Sequence, residues 1–365
     1  MDALTDVANT LDRAVEDGRL VGYVCGVRRA GHSRVIAGGS RTVGGAEVAE
    51  DTVFPLSSNT KPLAGVLAMA LVERGMVGLD DPISRHLPEL GELRVLARPD
   101  SPLGETVPAV RPLTLRHLLT MTAGFGWVGQ NPALAGAMVE RGIAPGPYAP
   151  PLDPESYLRR LAELPLAGQP GDGWWYHTSS DVLGVLLARA TGSGVAALLD
   201  EFVTGPLRLS DTGFTTDPAR LPTSYGVGAG GRLEALDTEG RFTATPAFDS
   251  LACGLVSTVG DYLKFLDVLV DGGRVLSPDS ARLLTTDHLT DRQRESARDF
   301  VGSGCGFGFQ VEVRPGGVVG WAGGLGTIGY ADRDSGRSAA VFTMQSYDAP
   351  GTPAALDQVW RLLAG

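Results

Sequence analysis

Strand-forming segments lie at the two ends of this 365-residue chain, and helical patterns fill the middle. Near the start, 21–29 and 34–37 read as a strand pair about Ala30-Gly31-His32. Near the end, 307–313, 318–321, 327–331 and 338–345 alternate in the same way, with Asp332–Gly336 as a hairpin turn. Between them, apolar residues recur at helical spacing. In 58–74 these are Leu63, Val66, Leu67, Ala70 and Leu71, closed by Gly75. Similar patterns cover 113–121, 154–164, 179–191, 195–203 and 259–270, and helices are expected at both termini (1–20 and 354–363). Such an order predicts one sheet built from both ends of the chain, with a mainly helical subdomain inserted. The expected division is a sheet subdomain of 1–57 and 240–365 and a helical subdomain of 58–239. A cleft is expected at their junction.

The formal charge of −11 argues against nucleic acid and anionic membrane surfaces as partners, since both would repel the chain. Cys25, Cys253 and Cys305 are far apart and form no CxxC, so reduced thiols in a cytoplasmic setting are expected. The charged N-terminus lacks the pattern of a secretion signal, and no run of about 18 apolar residues predicts a membrane span. The sequence leaves the oligomeric state open.

Only two of the 31 basic residues are lysines, Lys61 and Lys264; the other 29 are arginines. In Phe54-Pro-Leu-Ser-Ser58-Asn-Thr-Lys61, a lysine stands one helical turn after a serine. Residues at i and i+3 share a helix face, so Lys61 is placed within reach of Ser58. A buried lysine can lose its proton, whereas arginine cannot. Serine becomes a nucleophile when a neighbouring base takes its proton. The helix start would also favour developing negative charge, and Pro62 is tolerated in the first turn. The same four residues equally fit a serine N-cap followed by a solvated lysine. Ser57 has Thr60 three residues on and cannot form the pair.

Phe54-x-x-x-Ser58-x-Thr60-Lys61 resembles the nucleophile motif of the serine β-lactamase and penicillin-binding-protein superfamily. The resemblance is closest to the class C-like branch that also holds esterases and acyltransferases. ALVERGMVGLDDPISRHLPEL (70–90), LTLRHLLTMTAGFG (113–126), PGDGWWYHTSSDVLGVLLARATG (170–192), GLVSTVGDYLKFLDVLVDGG (254–273) and GWAGGLGT (320–327) are similar to later segments of that branch. The resemblance implies a mixed α/β fold, with an antiparallel sheet flanked by helices. It implies Ser58 as nucleophile, Lys61 as base and Tyr176 as a proton relay that serves the leaving group. The oxyanion would be held by the backbone N–H groups of Ser58 and Gly324, and Trp321, Gly323, Thr178 and His177 would line the substrate site. His86 and His117 fall in segments that resemble structural parts of the fold. No cofactor or metal is implied.

Two departures bear on substrate. Tyr176-His177-Thr178 stands where the branch often has Tyr-x-Asn, and Trp321-Ala322-Gly323 where it usually has Lys or His before x-Gly. Neither lysine precedes Thr-Gly, and no Ser-Asp-Asn occurs, so a class A enzyme is excluded. With no cation at 321, a natural partner for a substrate carboxylate is missing. The expected activity is therefore a carboxylesterase or acyltransferase acting through an acyl-enzyme on a small-molecule acyl substrate. β-Lactam hydrolysis or D-amino-acid peptide cleavage ranks second, and a non-catalytic binding or sensor relative third. Gly324-Leu-Gly326-Thr-Ile-Gly329 matches GxGxxG but has no following helix, so a dinucleotide site is not expected. No GxSxG elbow and no HExxH spacing occurs.

Overall fold

The computed structural model describes residues 2–236 and 240–365, so the expected subdomain boundary at 239/240 falls outside the described residues. Helix α1 (Ala3–Glu16) begins where the Asp2 side chain accepts from the Thr5 amide, pairing a donor that the first turn leaves free. Strands β1 (Gly22–Arg29) and β2 (His32–Gly39) form the first hairpin. Helices α2 (Thr60–Glu73), α3 (Thr178–Thr191) and α4 (Val259–Asp271) follow. The chain then returns to the sheet as β3 (Gly306–Phe307), β4 (Glu312–Arg314), β5 (Val318–Gly323), β6 (Thr327–Asp332) and β7 (Arg337–Thr343), and ends in α5 (Gln358–Ala364). The seven strands lie in the order β2-β1-β7-β6-β5-β4-β3, and every pairing is antiparallel. The two ends meet where Tyr23 faces Thr343 and Val27 faces Ala339.

Alternation along the strands loads both faces of this sheet. Tyr23, Cys25, Ala339 and Val341 point to Leu4, Val7 and Leu11 of α1 and Val359 and Leu362 of α5. Val24, Ala340 and Phe342 point the other way, into the larger core with Tyr262, Leu263 and Leu266 of α4. Helix α2 runs through that core, and residues 60–71 are all buried. A β-carbon at Gly65 would stand 2.3 Å from the Phe309 carbonyl oxygen, so glycine is what lets α2 lie against the 309 segment. A buried Leu or Phe contributes roughly 1.5–3 kcal/mol, which makes α2 a rigid support for whatever stands at its N-terminus.

One expectation is corrected. The strand expected over 307–313 is broken, because Gln310 adopts φ +68° between β3 and β4. Its amide donates to the Leu118 carbonyl at 2.9 Å and accepts from Ser180 Oγ at 2.6 Å, so a buried polar network overrides the strand pattern. The segment 97–112 contains a short strand, Thr106–Pro108, paired with Arg94–Leu96. Further on, Tyr225–Val227 and Leu233–Ala235 pair as a small hairpin. His117 caps the helix Leu115–Leu119, its Nδ1 accepting from the Thr114 amide. Gly324–Gly329 is the β5–β6 turn and the start of β6, with Gly326 at φ +90°. Among the described residues no single helix is long and apolar enough to cross a membrane.

Candidate active site

Two adjacent serines open the site. Ser57 carries φ +47°, and Ser57–Asn59 form a single tight turn that feeds into α2. Ser58 makes no side-chain cap, which removes the simple capping reading of the motif. Its hydroxyl instead accepts from Lys61 Nζ at 3.0 Å. Lys61 is fully buried. The same Nζ donates to the Ala252 carbonyl at 2.7 Å and lies 3.4 Å from His177 Nδ1 and 4.6 Å from the centre of the Tyr176 ring. Burial disfavours the ammonium and pushes the Lys61 pKa down to about 8, against opposing pulls from Cys253 and Asp181.

Tyr176 is brought to this point by an unusual turn. His177 has φ +87° and ψ −69°, and the Thr178 amide donates back to the Tyr176 carbonyl at 3.3 Å. Those values describe the rare, strained form of γ-turn, a conformation that costs about 1–3 kcal/mol. It turns Tyr176 toward Ser58 and sends the His177 ring inward. The Tyr176 hydroxyl accepts from the Trp321 indole N–H at 2.8 Å. Burial raises its pKa, with hydrogen bonds from Ser58 and Trp321 pulling the other way, so it is a neutral phenol at ordinary pH.

Beneath Lys61 lies a second polar layer. His177 Nε2 is 3.8 Å from Asp181 Oδ2, and Ser250 Oγ donates to Asp181 Oδ1 at 2.6 Å. Burial, with the Lys61 charge behind it, holds His177 well below the usual histidine range, so its ring is neutral. Asp181 is raised to about 6 by burial, against the Ser250 hydrogen bond and the Lys61 charge. The Cys253 thiol is pushed up to about 12 by burial and stays protonated.

The remaining expected residues fall at different depths. Trp321 is only 6% exposed and spends its N–H on Tyr176, so it orients the phenol instead of presenting an open wall. His177 faces Lys61 and Asp181, and Thr178 is fully buried at the first position of α3; neither reaches the open side of the site. At Gly323 a β-carbon would lie 2.1 Å from the Leu56 carbonyl, so glycine lets β5 close onto the turn before Ser58. Gly324 follows at the exposed end of β5, and a β-carbon there would stand 3.8 Å from Ser57 Oγ. Sequence reasoning missed Asp181, Ser250 and the Ala252 carbonyl. Asp181, the one acid inside the apolar run of α3 and four residues after His177, is the only one with a sequence signal. No group of three His, Cys, Asp or Glu side chains that could hold a metal occurs among the described residues.

Comparison with known proteins places this chain among relatives. The model of the β-lactamase family matches residues 7–364. An uncharacterised protein of Mycobacterium tuberculosis is 36% identical over 79% of this chain and 76% of its own length. Esterase EstB of Burkholderia gladioli is 32% identical over 94% of this chain and 90% of its own. Among solved structures, EstCE1, described as a hydrolase with promiscuous acyltransferase activity, superposes with a TM-score of 0.83 at 27% identity. It covers 99% of this chain and 98% of its own.

Proposed function

The chain belongs to the β-lactamase family, and from that membership and the site we propose a serine hydrolase, a carboxylesterase or acyltransferase working through an acyl-enzyme on Ser58. The observation that carries this reading is the fully buried Lys61 ammonium, 3.0 Å from Ser58 Oγ with its pKa lowered to about 8. Near neutral pH roughly a tenth of such lysine is unprotonated and able to act as a base. In the proposed sequence Lys61 takes the Ser58 proton as Oγ attacks the acyl carbon. Backbone N–H groups of Ser58 and Gly324 receive the oxyanion. Tyr176, neutral and oriented by Trp321, gives a proton to the departing alcohol. Water or another alcohol then enters by the reverse path. His177 and Asp181 hold Lys61 from behind without touching substrate.

On this reading the cleft lies between a sheet subdomain (1–57 and 240–365) and a helical one (58–239), with Trp321 and Gly324 supplied by the first and Ser58, Lys61 and Tyr176 by the second. The partner is a small-molecule acyl substrate. Three free, buried cysteines support a reducing, cytoplasmic setting.

Trp321 in place of a cation ranks esters above β-lactams. p-Nitrophenyl butyrate is expected to show a kcat/KM at least about tenfold above that of nitrocefin, the size of one lost charged contact. Faster nitrocefin turnover would reverse the ranking.

The buried acid gives a second expectation. The groups facing Lys61 are His177, Tyr176, Asp181 and Cys253, and the Asp181 charge raises the Lys61 pKa. Asp181→Asn removes that charge, so the pH midpoint of kcat/KM should fall from about 8 by about one unit. A lower rate with an unmoved midpoint would show that Asp181 serves packing alone.

A further inference from the structure

A cavity of about 530 Å³ opens beside the site and includes Tyr176 in its wall. Trp127, Trp174, Trp175 and Phe300 are among its lining residues. Trp174 stacks on Tyr176 with ring centres 5.6 Å apart and planes 17° apart, and Phe300 lies 4.6 Å from the same ring. Trp127 and Phe300 meet edge-on at 5.9 Å at the mouth, where they remain 53% and 37% exposed. Large aromatic side chains left this open, and held in place by a backbone hydrogen bond from Trp127 to the Tyr176 carbonyl, form a preshaped wall for a flat apolar group. The lining has a single charged side chain, Asp299, and no basic one. An anionic group brought against these rings would lose its water with no counter-charge to replace it.

The position of Tyr176 tells which half of the substrate belongs there. This step rests on the proposed role of Tyr176 as proton donor to the leaving oxygen. The leaving alcohol must then lie on the Tyr176 side of the acyl carbon, and Tyr176 is the residue that the site shares with the cavity wall. We propose that the Trp127–Trp174–Phe300 cavity is the alcohol subsite, and that it takes an uncharged aromatic alcohol both as leaving group and as acyl acceptor. In the transfer direction the alcohol oxygen attacks the Ser58 ester. Its bond to the acyl carbon forms as the Ser58 Oγ–acyl bond breaks, the alcohol proton passes to the Tyr176–Lys61 pair, and Ser58 recovers a proton from that pair. No further reactant is consumed.

The subsite is tested apart from the chemistry by calorimetric titration of Ser58→Ala with 2-naphthylmethanol and, separately, with 2-naphthoate. Saturable binding of the neutral alcohol is expected, with the anion at least about tenfold weaker. Trp127→Ala in the same background should weaken the alcohol about tenfold, while Trp360→Phe, remote on the far face of the sheet, leaves it unchanged. Absence of alcohol binding, or equal binding of the anion, overturns the subsite whatever the esterase activity. The intact enzyme, given p-nitrophenyl acetate and 2-naphthylmethanol, should form 2-naphthylmethyl acetate, detected by chromatography. Binding in Ser58→Ala without ester turnover or transfer in the intact enzyme would instead overturn the acyl-enzyme reading, and with it the assignment of the cavity to the alcohol.

Discussion

Lys61→Arg is expected to lower kcat/KM for short-chain esters by about 10³-fold or more, although the positive charge is kept. A general base contributes about 10²–10⁴, and a guanidinium cannot lose its proton to act as one. Arginine is also larger than the fully buried lysine it replaces, so Lys61→Met, which keeps the volume and removes the charge, serves as the companion. Both variants should be inactive while thermal melts show folded protein. The wild-type rate should rise with pH through about 8, because the Lys61 pKa is lowered and the neutral base accumulates above it. Neither variant should retain that rise. Substantial turnover by Lys61→Arg, measured with p-nitrophenyl butyrate, would show that Lys61 is not the base.

Tyr176→Phe should separate good leaving groups from poor ones. Burial keeps Tyr176 a phenol, so its proposed contribution is a proton delivered to an alkoxide. An alkyl ester needs that proton, and its kcat should fall by about 10²–10³. p-Nitrophenolate leaves without one, so the corresponding activated ester should lose far less. The Trp321 indole N–H loses its acceptor in either case, which costs about 1–3 kcal/mol of stability and is common to both substrates. Equal losses for the two esters would reduce Tyr176 to a packing role.

Several features were legible in the sequence because they depend on local pattern. The strand patterns at 21–29, 34–37, 318–321, 327–331 and 338–345 mark strands of the sheet, and the scarcity of lysine sets Lys61 apart. The i, i+3 spacing of Ser58 and Lys61 became a 3.0 Å contact because the turn at 57–59 runs straight into α2. What could not be read depends on long-range contact. The Ala252 carbonyl that accepts from Lys61 lies 191 residues away and has no side-chain signature. His177 turns inward only because it adopts a positive φ, which residues other than glycine seldom do. Trp321 reads as a residue lining the substrate site, yet its N–H is committed to Tyr176. Gln310 interrupts a good strand pattern because α3 and the 118–119 backbone claim its amide.

The central claim is that Ser58 becomes covalently acylated, and intact-mass measurement after incubation with a fluorophosphonate tests it most directly. Wild-type protein should gain one phosphonyl adduct. Ser58→Ala should gain none under the same conditions, and Lys61→Met should label far more slowly. An unmodified wild-type mass at saturating probe, or an adduct that persists in Ser58→Ala, would contradict the account.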